Sequence, residues 1–157
     1  MELEPFETIE AQGFPTVRQL SIFMESRVGQ LLRLTKLFDK TEVHIVALSI
    51  VNAVDCAVIR MIVDKPDDAY AVLTEHGFAV VDSELLVVSL PSGKRALLHT
   101  WAALMSGEVN INYTYPLLVQ PKGASAIALH ADNLDMAASV LRHNRLDVLD
   151  HQDLMQD

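Results

Sequence analysis

Cysteine is nearly absent. Cys56 is the only one in 157 residues, which excludes an internal disulfide and any metal site built on several thiolates. Positive charge is also short. Lys and Arg number 12 against 21 Asp and Glu, for a formal net charge of −9. Duplex nucleic acid and phospholipid surfaces demand a positive face, so neither is expected as a partner. No apolar run approaches the ~20 residues of a membrane helix. The opening MELEPFETIE is acidic and has no apolar core, so no secretory leader is expected and the cytoplasm is the expected compartment. Three motifs are missing too: the G-x-x-x-x-G-K-[ST] phosphate loop, a G-x-G-x-x-G after a strand and the G-x-S-x-G nucleophile elbow. Asn112-Tyr113-Thr114 matches the glycosylation triplet but carries no meaning without secretion.

What is present is a folding composition: 50% hydrophobic and 21% charged, with mean hydropathy +0.23. At this length a chain buries roughly 70% of its unfolded surface and needs no disulfide or metal to fold.

The chain repeats itself. Residues 64–82 read DKPDDAYAVLTEHGFAVVD, and residues 132–150 read DNLDMAASVLRHNRLDVLD. With a shift of 68, Asp64, Asp67, Ala69, Val72, Leu73, Val80 and Asp82 fall on identical residues. Upstream a shift of 66 aligns Leu31, Leu32, Val43 and Ile45 with Leu97, Leu98, Val109 and Ile111. The two extra residues of the second copy fall near Gln120-Pro121-Lys122-Gly123, a turn signal. Two copies are therefore expected, at 16–83 and 84–153, behind an acidic arm 1–15 with Glu2, Glu4, Glu7 and Glu10.

Periodicity predicts the elements of each copy. In the first, a strand covers Thr16–Met24, a helix Val28–Lys40, and strands Val43–Val51 and Cys56–Val63 flank a hairpin at 52–55. A helix at 66–76 follows, with Asp64 as its cap and Gly77 as its stop, and then a strand Phe78–Asp82. The second copy gives a strand 85–90, a helix 94–106 stopped by Gly107, strands 109–119 and 125–131, a helix 133–144 and a strand 146–150. The order β-α-β-β-α-β, twice, is the ferredoxin-like α+β plan: antiparallel sheets with helices on one face. Each unit is small and has open sheet edges. The two copies are expected to pair within the chain, and an uncovered apolar sheet face to form a homodimer.

The first copy, QLSIFMESRVGQLLRLTKLFDKTEVHIVALSI, resembles the ACT-domain family, and VNINYTYPLLVQ carries the same pattern in the second. The likeness covers about residues 16–153 and is greatest to stand-alone tandem members, which have no catalytic domain. It implies a non-catalytic regulatory protein that binds a small amino acid between units and signals to an enzyme or regulator of amino-acid metabolism. An amino-acid biosynthetic enzyme is then a partner.

The chemistry of such a ligand suits the first strand–loop–helix junction. Free N–H groups and the positive end of the helix dipole favour a carboxylate, and a glycine allows close approach. The candidates are Glu25, Ser26, Arg27, Val28, Gly29, Gln30 and Leu31. Arg27 would pair with the carboxylate and Glu25 would receive the ammonium. The competing reading is a plain helix start capped by Ser26 or Arg27. Two departures from the family pattern stand out. Val28 replaces the usual proline before the glycine, and Arg95 stands where the first copy has Gly29. A weaker second site is expected at Ser92, Gly93, Lys94 and Arg95. Either Gly93 takes over the glycine's role there, or Lys94 and Arg95 grip another anion, or they are an exposed basic pair.

The six histidines (His44, His76, His99, His130, His143 and His151) are scattered. Their only close acidic pairs, His130-Ala131-Asp132 and His151-Gln152-Asp153, lack a third ligand at a suitable spacing. No metal and no cofactor is expected. Cys56 is expected to be a buried small hydrophobe, and Trp101 to be core. Tyr113 and Tyr115 share a strand face and either line a pocket or pack against the other unit. The alternative function is a protein-interaction module whose ligand sites have decayed, supported by the altered second loop. An enzyme is not expected, since no acid–base or nucleophile constellation is present.

Overall fold

The structure, a computed structural model, describes residues 13–155. Most of the expected acidic arm, residues 1–12, lies outside the described residues.

The chain runs β1 (Val17–Glu25), α1 (Gln30–Asp39), β2 (Ile45–Asn52), β3 (Cys56–Val63), α2 (Pro66–Glu75) and β4 (Ala79–Ser89). It continues with α3 (Ala96–Ser106), β5 (Ile111–Pro116), β6 (Ala126–Ala131), α4 (Leu134–His143), β7 (Val148–Leu149) and a one-turn α5 (His151–Leu154). The two expected strands 78–82 and 85–90 are a single strand, β4. Asp82-Ser83-Glu84 looks like a polar break, but each of the three keeps its place in the ladder, opposite Leu20, Gln19 and Arg18. Arg18 clasps Asp82 bidentately (2.8 and 2.9 Å) and also pairs with Asp67 of α2. Both contacts hold the Arg18 guanidinium further above its already high ordinary pKa.

β4 serves both units. From Ala79 to Leu85 it pairs with β1, and from Leu86 to Ser89 with β6 and β7. The antiparallel path is β2-β3-β1-β4-β6-β5. The sheet curls until its ends touch: Ala47 of β2 bridges Leu117, and the Leu118 N–H donates to the Val46 carbonyl at 2.8 Å. Helices α1 and α2 cover the outer face of the first unit over Leu20, Ile22, Leu34, Phe38, Ile59, Met61 and Leu73. Helices α3 and α4 do the same for the second over Leu86, Val88, Leu104, Leu129 and Leu141. The inner faces meet in a third core, with Val17, Ile62, Leu85, Val87, Tyr115, Ala128 and Leu154. Each fully buried Leu, Ile or Val contributes ~1.5–3 kcal/mol. The sheet face expected to be open for a homodimer is therefore largely covered by the chain's own second unit.

Four local expectations change. Asp64 does not cap α2, whose start has no side-chain cap. Its carboxylate instead accepts from the backbone N–H of His44 at 2.7 Å and lies 3.0 Å from Nδ1 of that histidine. Cys56 is exposed, because it opens β3 beside the hairpin at the sheet's rim. Trp101 is half-buried at the margin of the α3–α4 core. α5 was not expected. Asp150 and Asp153 form a reciprocal capping box that folds the turn and drives Leu154 into the inter-sheet core.

Candidate functional site

The residues expected to form the first site are brought together where β1 ends and α1 begins. Gly29 is the residue before α1 and sits at φ +86, a left-handed conformation that glycine adopts freely and other residues rarely. No side chain caps the helix, so the Ser26 or Arg27 cap is not formed. The Arg27 N–H donates to the Glu25 carbonyl at 3.0 Å and the Gln30 N–H to the Arg27 carbonyl at 3.3 Å, which turns the chain sharply into the helix.

A cleft of about 380 Å³ opens at this junction. Glu25, Ser26, Arg27, Val28, Gln30 and Leu31 line one side of it, while Gly29 shapes the turn without lining the cleft. The opposite wall is Met24 with Ile50, Asn52, Ala57 and Ile59 from β2 and β3. Ile50, Asn52, Ala57 and Ile59 escaped the sequence reading because they lie 19 or more positions beyond Leu31. The available signal was the helix-facing alternation of the hairpin strands, where Ile50 stands opposite Ile59. Glu25 and Arg27 form an ion pair with each other at the exposed rim. The cleft thus has an apolar floor and one charge of each sign at its mouth.

The second junction is built differently. Its cleft, about 470 Å³, is lined by Leu90, Pro91, Ser92, Gly93, Lys94 and Leu97 against Gln120 and Gly123–Ser125. Gly93, not the residue before the helix, takes the positive φ (+105). Arg95 precedes α3 with φ −94 and does not line the cleft. The structure therefore gathers Ser92, Gly93 and Lys94 and leaves Arg95 out. A wider groove of about 770 Å³ between α3 and β5, lined by Trp101, Leu104, Met105 and Glu108–Ile111, is open and mainly apolar.

Tyr113 and Tyr115 pack between the units. The Gln19 amide donates to the Tyr113 hydroxyl (2.8 Å) and to Ser83 Oγ (3.0 Å), and the Tyr115 hydroxyl donates to the Gln19 carbonyl oxygen. Arg60 lies 3.8 Å above the Tyr113 ring, which stacks on His130 with centroids 4.9 Å apart. Among the described residues no group of three or more His, Cys, Asp or Glu is gathered to hold a metal, and no helix is long and apolar enough to cross a membrane.

Comparison with known proteins places these features in context. Residues 15–157 match the family described as an ACT domain pair. A protein of Bacteroides thetaiotaomicron of known crystal structure is similar at 30% identity, covering 90% of this chain and 97% of that one, with a TM-score of 0.81. The regulatory subunit of aspartate kinase from Thermus thermophilus, in its ligand-free form, shares the fold at 12% identity with TM-score 0.57, covering 81% of this chain and 91% of that one. The corresponding subunit from Thermus flavus shares it at 9% identity with TM-score 0.52, covering 85% and 94%. Among curated proteins none matches the chain.

Proposed function

The chain belongs to the ACT domain pair family, and from that premise we propose that it is a non-catalytic regulatory protein of the cytoplasm that binds a small amino acid in the cleft between β1 and α1. The observation that carries this reading is the Glu25–Arg27 ion pair at the mouth of an apolar-floored cleft. A zwitterion brings the complementary pair of charges. Its carboxylate replaces Glu25 as the partner of Arg27, and its ammonium replaces Arg27 as the partner of Glu25. Charge is conserved in the exchange, while the ligand's side chain gains the apolar wall of Ile50, Ala57 and Ile59. The uncapped N–H groups of α1 and the helix dipole favour the carboxylate end further. The cleft's size is in the range of small-molecule sites.

The second cleft lacks the glycine at the helix start and an acidic residue at its mouth, so it is the weaker site. The partners in this reading are a second copy of the chain and an amino-acid biosynthetic enzyme. Exposed apolar residues on α3, Leu98 at 60% and Met105 at 80%, support such contacts. Thermal-shift screening of the twenty amino acids tests the reading. At 100 times its Kd one ligand adds ~2.7 kcal/mol, about 5–10 °C for a chain this size. If none of them moves the transition, the reading fails and the interaction module takes its place.

A further inference from the structure

The two units differ most in charge at one end of their helix layers. Position by position, Gly29, Arg33, Thr74, Glu75 and Gly77 of the first unit become Arg95, His99, Arg142, His143 and Arg145 in the second. Arginine and glutamate cancel in the first set, while the second holds three arginines, two histidines and no acid. All five second-unit residues are exposed. The fold brings them to one end, since α3 packs on α4 and His99 Nε2 lies 3.3 Å from the Asn144 carbonyl. A chain of net charge −9 thus concentrates three of its twelve lysines and arginines here.

Arg145 is held against its conformational preference. It sits at φ +62, the counterpart of Gly77 at φ +82, where glycine is the unstrained choice. The described chain begins beside these arginines. The Arg142 guanidinium lies 4.9 Å over the ring of Phe14. Immediately upstream of Phe14 the sequence reads MELEPFETIEAQG, with Glu2, Glu4, Glu7 and Glu10. Extended, the four residues from Glu10 to Phe14 span at most about 14 Å, so the chain is long enough for the nearest of these carboxylates to reach Arg142.

We propose that the basic end of the second unit, Arg95, Arg142 and Arg145 with His99 and His143, is the docking surface for the acidic segment 1–12 of the same chain. The guanidinium groups take the glutamates as charge-assisted pairs, each individually weak at a surface and collectively directional. This inference is independent of the amino-acid site.

Paramagnetic relaxation in the full chain tests it. Glu7→Cys in a Cys56→Ser background gives one spin-label position and keeps three glutamates. The expected result is that amide signals of 95–99 and 142–146 lose roughly half their intensity. They should recover at about 1 M salt, where the Debye length is about 3 Å. Arg145→Gly should weaken the effect while raising thermal stability, because it relieves the backbone, so misfolding cannot explain the loss. Full intensity over 95–99 and 142–146, or broadening centred elsewhere, overturns the proposal. Mixing labelled chain with an unlabelled, isotope-enriched copy separates cis from trans. Broadening in the enriched copy assigns the segment to a second molecule and overturns the assignment made here.

Discussion

The Tyr115 hydroxyl donates to the side-chain carbonyl of Gln19, joining β5 of the second unit to β1 of the first across 96 positions of sequence. Gln19 is fully buried, one of two buried polar residues among those described, and its amide is spent on Tyr113 and Ser83. A buried polar group with all its bonds made fixes the geometry around it, and one left unpaired costs ~1–3 kcal/mol. The inner core is otherwise apolar and would tolerate sliding of one sheet over the other. Gln19 and Tyr115 set its register.

Tyr115→Phe should therefore cost ~1–3 kcal/mol by leaving the Gln19 carbonyl oxygen unpaired, read from urea denaturation. Gln19→Leu in the same background should cost much less than it does alone, a coupling measured by the double-mutant cycle. Additive costs would show that the two residues act separately. The pH dependence follows from burial, which pushes the Tyr115 phenol above its ordinary value of 10.0. A raised acid pKa contributes stability that is intact below the unfolded value and is lost as pH rises beyond it. Stability should fall above about pH 10 in the parent, and less steeply in Tyr115→Phe.

Gly107 tests close packing of a different kind. Its φ is −92, so the backbone accepts any residue, but an added Cβ would stand 2.5 Å from Val140 Cγ1. Valine is stiff at χ1 and cannot swing aside. Gly107→Ala should destabilise by ~1–3 kcal/mol despite its better helix propensity. Val140→Ala should recover much of that loss in calorimetric melting. A neutral Gly107→Ala would mean that α3 and α4 are further apart.

α5 should respond to acid. The Asp150 N–H donates to the Asp153 carboxylate at 2.9 Å, and Lys122 Nζ lies 3.1 Å from its other oxygen. Together they hold the Asp153 carboxyl below its ordinary value of 3.8. A depressed carboxylate stabilises the fold above that value and ceases to do so as pH falls through its folded pKa. Protection of the amides at 151–154, relative to the intrinsic exchange rate at each pH, should therefore fall below about pH 4. Asp150→Ala, which removes the cap, should loosen the same turn by ~1 kcal/mol at neutral pH. Unchanged protection in both cases would make α5 an independent turn.

Periodicity made most of the fold legible. Leu31, Leu34 and Phe38 wrote α1, and alternating Val and Ile wrote β2 and β3. β4 reads as two strands because the repeat puts the boundary between the copies at 83/84, and nothing local reveals that Arg18 and Gln19 hold Asp82-Ser83-Glu84 in a ladder. α5 was missed because one turn is too short for a period, although the spacing of Asp150 and Asp153 was a visible capping signal. The near half of the first cleft was readable, since its residues are consecutive. The far wall was not, since Ile50 and Ile59 meet Leu31 only after the hairpin folds back.

Gly29 shapes the turn beside the proposed site but makes a poor probe of it. At φ +86 any other residue is strained by ~1–2 kcal/mol, although nothing lies within 4 Å of the added Cβ. A binding loss in Gly29→Ala would mix strain with ligand contact. Arg27 is free of that difficulty, being exposed and paired only at its tip with Glu25. The most direct measurement is isothermal calorimetry of the full chain, parent and Arg27→Ala, with the amino acid that gives the largest thermal shift. The account predicts one strong site per chain and a loss of ~10-fold or more in Arg27→Ala, with melting unchanged in the absence of ligand. Equal affinity in the two proteins, or two equal sites per chain, would contradict it.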